Sequence, residues 1–488
     1  MTLKYIYSSG LSICLLLQTI VVLSQNTNDT KYPWIKREKN MIQFSDRADL
    51  KALVDGWQNT RNETLVILHL GDSHLQNENF PNRPRTLAQQ ALGDGGIGLI
   101  EPFSIVKSYD ARFYFSTHTG NWDNAKSYSL PPKLPLGVRG MTAITYSENS
   151  TFRISFSTTV SNANNILTLF CSNNDSSYIP IIFADSIRAT LINSDFERLV
   201  YSMPLGFKTI TLKLSETRAQ QNHFMLYGMS LSNKTNTGCI WHNAGVGASQ
   251  YKSVLYEDKY NEQVNYLNPD LVIIDFGGND FFYTNSIPVT LEGDIIKVIE
   301  KVRNVSPKAS ILLTSAHDMY SKHQDVTAGQ DFAVLVKRIA RETHCGFWDW
   351  YSVAGGPQTM KLWTANNISM NDGIHLGGAG SELKGTLLFE ALEKTVNLIQ
   401  NDSNLNQVSV DYSYHDSTTI ALLKEYDRTH KGVSKTKKRG YKPVYITVKK
   451  GETLIQIAQK YHTTTKAIKS LNGLKSNTLM PGKKLRVR

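Results

Sequence analysis

Cysteine is scarce: the chain of 488 residues holds four. One of them, Cys14, lies deep in an apolar N-terminal stretch behind the bulky Ile13, a setting that argues against lipid modification. The other three, Cys171, Cys239 and Cys345, are odd in number and lack C-x-x-C spacing. That excludes a disulfide framework and a zinc site, and leaves open a single bridge. Charge is also thin, at 19% of residues against 41% apolar, so there is enough apolar side chain to fill cores and the chain is not largely disordered. Past the N-terminus no stretch has the length and purity of a transmembrane helix, so no stable membrane insertion is expected there.

At the N-terminus, Met1-Thr2-Leu3-Lys4 is followed by an apolar run through Leu15-Leu16-Leu17 to Val21-Val22-Leu23-Ser24, and then by polar Gln25-Asn26-Thr27. This predicts a signal peptide over residues 1–25, cleaved near Ser24 or Gln25; Ser12, Gln18 and Thr19 interrupt the run and argue against an uncleaved anchor. The net charge of +11 is unevenly placed. From Lys424 to Arg488 there are 18 Lys and Arg against 3 Asp and Glu, a local +15 that leaves −4 for the rest. A basic tail on an exported chain suits an anionic surface such as a cell wall, and without a recognition motif nucleic acid is not expected as a partner.

At this length two or three folded units are expected. Thr64 to Leu70, Asp270 to Phe276 and Ala309 to Thr314 are short buried-strand runs, each ending at a polar or glycine turn. Amphipathic stretches at Leu291 to Asn304, Gln330 to Thr343 and Ser381 to Asn401 alternate with them, which predicts a parallel α/β sheet with its ligand-binding edge at the strand C-termini. Residues 104–236 differ in texture. Alternating segments such as Thr151 to Ser157 and Lys208 to Leu214 predict an antiparallel β-sandwich inserted between core segments 26–103 and 237–402. A basic polar linker is expected at 403–443, then a small βααβ unit at 444–488 built from a strand at Tyr445 to Val448, helices at Thr453 to Tyr461 and Thr465 to Asn472, and a strand at Lys484 to Val487.

Ser73, in Gly71-Asp72-Ser73-His74, follows the first strand, where a hydroxyl stands over the sheet edge beside the N–H groups of a helix start. A serine hydroxyl needs a base at neutral pH, and Asn371-Asp372-Gly373-Ile374-His375 offers His375 with Asp372 to orient it. The oxyanion of ester cleavage needs preplaced donors. Asn279, in the glycine turn after the second strand run, can supply one, and the backbone N–H groups of Ser73 and of the Asn243 to Ala248 loop can supply others. No metal or organic cofactor is called for.

These pieces, in this order, resemble the four signature blocks of the SGNH/GDSL hydrolases across roughly residues 60 to 400. The resemblance implies a flavodoxin-like parallel-sheet core with Ser73 as nucleophile, Asp372 and His375 as orienter and base, and Ser73, Gly247 and Asn279 as the oxyanion hole. The family's glycine usually falls one residue further from the preceding Asn than Gly247 does, so the donor is Gly247 or Ala248, while Gly245 serves the turn. His74 replaces the commoner Leu, as in the subset with an inserted sandwich, and His69, His74 and His317 are read as structural. With the segment Gly95 to Pro102 and a carbohydrate-binding-like insertion, the chain resembles secreted peptidoglycan O-acetylesterases. Tyr109, Phe113, Tyr114 and Trp122 could present sugar-stacking faces, with core packing as the alternative.

The last 45 residues, with Tyr445-Ile446-Thr447-Val448, Gly451-Glu452-Thr453-Leu454, Leu471-Asn472-Gly473 and Met480-Pro481-Gly482, resemble a LysM domain. Leu454, Ile457, Ala458, Ile468, Leu471 and Leu485 are its expected core. The LysM likeness implies a partner rich in N-acetylglucosamine, peptidoglycan above all. The expected function is therefore a secreted serine esterase removing O-acetyl groups from cell-wall glycan, at the periplasm or cell surface of a bacterium. An O-acetyltransferase and a catalytically silent glycan-binding protein stand as alternatives, and the sequence does not fix the oligomeric state.

Overall fold

The computed structural model describes residues 31–430, except 77, 162, 323 and 412–415, and residues 445–486, except 450, 451, 461–464, 475, 477 and 478. The expected signal peptide, Cys14 and the lysine-rich part of the linker lie outside the described residues.

Six strands, β1 (Thr64–Gly71), β2 (Asp94–Gly96), β3 (Gly238–Gly245), β4 (Leu271–Asp275), β5 (Ser310–Thr314) and β6 (Gly346–Trp348), form one sheet in the order β2-β3-β1-β4-β5-β6. Every pairing is parallel. Setting aside the short edge strand β2, this is the doubly wound order of flavodoxin-like folds, whose chain reverses direction across the sheet beside the first strand. Strands β3, β4 and β5 are buried at every residue, and β4 and β5 accordingly read as nearly continuous apolar runs, while β3 also buries His242 and Asn243.

Helices α1 (Leu291–Val305), α2 (Ala328–Glu342) and α3 (Gly378–Asn401) cover the sheet. In α1 the buried side chains are Leu291, Ile295, Val298, Ile299 and Val302, the three-and-four spacing of one helical face. Each such side chain taken fully out of water contributes about 1.5–3 kcal/mol. The strand register decides what stands at the C-terminal edge of the sheet: Gly71 of β1 pairs with Gly245 of β3 and with Asp275 of β4. The three chains therefore leave the sheet level with one another, and Ser73, Gly247 and Asn279 emerge together.

The insertion is a β-sandwich of antiparallel sheets, one of five strands and one of six in a row with Gly98–Ile100 added onto Phe224–Ser232. It thus takes in a segment ahead of residue 104. Phe152, Ile154, Ile182 and Leu212 fill the space between the sheets. Its inner side shares a core with the parallel sheet, where Leu99, Phe170 and Tyr227 pack in one cluster with Leu68 and Val264. A buried ion cluster reinforces that seam: Glu78 pairs with Arg85 and with Arg139, each at 3.2 Å, and Arg139 also donates to the carbonyl of Asn243 at 2.7 Å. The three cysteines are buried and free, so the bridge left open by the sequence is absent.

Part of the expected linker is ordered against the core. Val408 forms a β-bridge with Phe44, and Ser417–His430 is a helix whose first turn is capped by the Asp416 carboxylate accepting the Thr419 N–H at 2.8 Å. Asp416 also pairs with Lys36.

The second unit, from Lys424 onward, holds the βααβ elements: Tyr445–Thr447 pairs antiparallel with Lys484–Arg486, and the helices are Leu454–Lys460 and Thr465–Asn472. Thr453 caps the first helix reciprocally, its hydroxyl accepting the Gln456 N–H while Gln456 accepts the Thr453 N–H at 2.9 Å. Its core is Val448, Leu454, Ile457, Ala458, Ile468 and Leu485. Leu471, expected there, is 41% exposed in the last turn of its helix.

Candidate active site

Ser73 opens a single helical turn, Ser73–Gln76, where β1 runs out. Its hydroxyl lies 3.0 Å from His375 Nε2, and His375 Nδ1 lies 2.7 Å from Asp372 Oδ2. The other Asp372 oxygen accepts the backbone N–H groups of Ile374 and His375 at 2.9 and 3.0 Å. Burial alone would raise the Asp372 carboxyl, but these hydrogen bonds outweigh it and hold the group below the usual carboxylate range. The carboxylate therefore stays ionised, fixing the tautomer that leaves Nε2 free to accept the serine proton.

The loop that carries this pair depends on Gly373. Its φ is +65°, and a Cβ there would collide with the Tyr320 carbonyl oxygen, while the Tyr320 N–H donates to the Gly373 carbonyl at 2.8 Å. Gly373→Ala is therefore expected to displace Asp372 and His375 and to cut kcat by about 10²-fold. Steady-state kinetics beside circular dichroism checks this; an unchanged kcat would show that the loop tolerates the side chain.

The expected oxyanion donors gather at Ser73, though two of them are engaged. The Gly247 N–H donates to Gln76 Oε1, and the Asn279 amide donates to the Ser249 carbonyl at 3.1 Å and to Asp72 Oδ2 at 3.4 Å. Among the described residues the N–H groups of Ser73 and Ala248 have no acceptor. Ala248 adopts φ +65° and is exposed. Gly245 lies where β3 passes under the turn that carries Ser73, and a Cβ there would strike Leu75, so the glycine allows a close approach of backbone to backbone.

Sequence reasoning missed a set of groups packed beside Ser73 and His375. Asp72, next to Ser73, is buried and accepts both the His74 N–H and His74 Nδ1 through Oδ1, at 3.0 and 2.9 Å. The His74 ring stands 5.3 Å from that of His375 and 4.8 Å from that of His317. Burial, then the neighbouring His74, pushes His317 well below the usual histidine range, and its Nε2 donates to the Ile374 carbonyl at 2.7 Å. His74 and His317 thus stand against the loop that carries His375. Asp280 is half-buried, its acid pushed up to about 8 by desolvation, so near neutral pH it is largely protonated.

A pocket of about 70 Å³ opens on Ser73, His375 and Asn279. Larger cavities of about 430 and 530 Å³, beside β6 and in the sandwich, contain none of the triad. No cluster of three or more metal-ligating side chains occurs among the described residues. Of the suggested sugar-stacking rings, Tyr114 and Trp122 are buried in the sandwich and Phe113 is packed against its core, while Tyr109 is 76% exposed.

Residues 218–383 match the GDSL-like Lipase/Acylhydrolase family and residues 446–488 match the LysM domain. The first stretch includes Gly247, Asn279, Asp372 and His375. A solved structure described as a peptidoglycan O-acetylesterase superposes with TM-score 0.61 at 20% identity, over 73% of this chain and 99% of that one, a likeness of fold that includes the inserted sheets. A protein of Bacillus subtilis covers 62% of this chain and 97% of its own at 14% identity and TM-score 0.29. An acetylxylan esterase from Geobacillus stearothermophilus covers 33% and 74% at 19% identity and TM-score 0.26. Neither of these two superposes closely enough to bear on the fold. No curated protein matches the sequence.

Proposed function

We propose that this chain, a GDSL/SGNH-type hydrolase carrying a C-terminal LysM domain, removes O-acetyl groups from peptidoglycan through Ser73, His375 and Asp372. The observation that carries the reading is the continuous hydrogen-bonded line from Ser73 Oγ to His375 at 3.0 Å and on to Asp372 at 2.7 Å. Ser73 Oγ attacks the acetyl carbonyl carbon while His375 Nε2 takes its proton. Collapse of the tetrahedral intermediate breaks the bond to the sugar oxygen, which leaves with that proton, and water then releases acetate from Ser73 by the same steps.

The oxyanion is received by the N–H groups of Ser73 and Gly247 and by the Asn279 amide. Gly247 and Asn279 exchange their protein acceptors, Gln76 on one side and Ser249 with Asp72 on the other, for the developing charge. The size of the pocket supports a short acyl group: about 70 Å³ is well under the roughly 300–1,000 Å³ that engulfs a drug-sized ligand. The LysM unit supports a cell-wall glycan as the partner and a site of action outside the cytoplasm, and holding the enzyme there raises the local concentration of acetyl esters.

The reading is tested by incubating the protein with O-acetylated and with chemically de-acetylated peptidoglycan and measuring acetate. Release from the first alone is expected. Removal of residues 444–488 should slow release from insoluble peptidoglycan on the order of 10²-fold and leave hydrolysis of ethyl acetate unchanged. Hydrolysis of ethyl acetate with none of acetylated peptidoglycan would exclude the proposed substrate.

A further inference from the structure

We infer that Tyr283 forms a sugar-stacking subsite: its ring receives the apolar face of the pyranose whose acetyl ester enters the Ser73 pocket. The inference rests on the proposed esterase reading and names the residue that would give it selectivity for a sugar. Tyr283 lines the same pocket as Ser73, Asn279 and His375. Because that pocket takes only a short acyl group, the sugar has to lie outside it, at the rim, where Tyr283 stands.

An exposed tyrosine alone would mean little. This one is 83% exposed on a loop that is pinned at several points. Phe281, two residues earlier, is fully buried, its ring 5.3 Å from that of Phe332. The Thr284 hydroxyl lies 3.1 Å from the Ser286 carbonyl, and the Asn285 side chain accepts the Ala328 N–H at 3.1 Å. Phe282, half-buried, meets the Tyr283 ring edge-on at 5.1 Å. The ring is thus held in water by contacts on either side of it, which lowers the ordering cost of binding. An aromatic body with a phenolic tip suits a pyranose, whose C–H groups pack on the ring while its hydroxyls meet the phenol. Tyr109, comparably exposed, does not line this pocket.

The test compares a soluble O-acetylated N-acetylglucosamine oligosaccharide with ethyl acetate, which has neither a sugar nor an aromatic ring. Tyr283→Ala is expected to raise KM for the oligosaccharide about tenfold, with kcat little changed, and to leave kcat/KM for ethyl acetate within about twofold. Tyr283→Trp should keep the wild-type KM. Retained ethyl acetate hydrolysis reports that the variant is folded. An unchanged KM for the oligosaccharide, or an equal loss on both substrates, overturns the subsite and leaves the esterase reading standing. Failure of the unaltered protein on the oligosaccharide, with ethyl acetate still cleaved, overturns the subsite and the glycan as substrate and leaves the ester-cleaving chemistry standing.

Discussion

Replacing Ser73 by alanine is expected to leave a folded protein that releases acetate at least about 10⁴-fold more slowly, from ethyl acetate and from O-acetylated peptidoglycan alike. The substitution removes one oxygen, and in the structure that oxygen hydrogen-bonds to His375 and to no other described residue. The turn that carries it is held independently: the Asp72 carbonyl accepts the Leu75 and Gln76 N–H groups, and the Leu75 carbonyl accepts the Asn243 amide at 2.8 Å. Thermal unfolding should therefore shift little, within the roughly 0.5 kcal/mol typical of surface changes. His375→Ala should cost a similar factor, and the double variant no more than either, because nucleophile and base act as one unit. Activity that survives Ser73→Ala would eliminate this serine as the nucleophile.

What made this site legible in the sequence was the form of its strands. Buried on both faces, β1, β4 and β5 read as apolar runs, and the polar blocks that follow them had to lie at one edge once the sheet was taken as parallel. Ser73 and Asn279 could be placed in this way, and the Asp372–His375 pair, which follows none of these strands, through its Asp-x-x-His spacing and the likeness to the SGNH/GDSL signature blocks. The groups beneath them could not. Asp72, His74 and His317 meet through contacts between separate loops, and no spacing along the chain encodes a ring distance such as the 4.8 Å from His74 to His317. Gln76 lies on the face of a single helical turn, too short to show a period, so its contact with the Gly247 N–H was equally hidden.

The same physics explains the sandwich. Alternation identified its strands, but the phase of the alternation decides which rings are bare, and phase needs the register. Along Tyr114–Thr119 the first residue points inward and the second outward, so Tyr114 is core while Phe115 is 52% exposed. Strands β2 and β6 have three residues each, below the length at which any pattern shows. The helix at 417–430 was hidden by the polarity of its surroundings, although its Asp416 cap is a local signal that could have been read.

Lys384→Met is expected to cost about 3–5 kcal/mol of stability at neutral pH, among the largest effects available from one substitution in this chain. The Lys384 ammonium lies 2.7 Å from Asp275 at the end of β4, and both side chains are nearly excluded from water, at 3% and 6% exposed. Asp275 also accepts the Thr314 hydroxyl at 2.7 Å and faces His69 Nε2 at 3.5 Å. Burial pushes the Asp275 carboxyl up, but Lys384 and then His69 hold it far below the usual carboxylate range. With its folded-state pKa depressed, Asp275 contributes stability that is present above the unfolded value near 4 and is lost as pH falls through the folded value. Methionine keeps much of the packing of Lys384 against Phe80, whose ring centroid is 4.2 Å from the ammonium, but removes the charge. Asp275 is then a buried carboxyl without its cation, its pKa rises, and the folded state takes up a proton that the unfolded state does not hold. The stability of Lys384→Met should therefore increase as pH is lowered from 8 toward 5, opposite to the Asp275 contribution in the unaltered chain. Lys384→Met combined with Asp275→Asn should recover most of the loss, since no buried charge remains. Thermal unfolding of the three proteins across that pH range measures this directly; a Lys384→Met variant as stable as the parent at pH 8 would mean that water reaches Asp275 and that the pair is not the electrostatic anchor beneath the Ser73 edge.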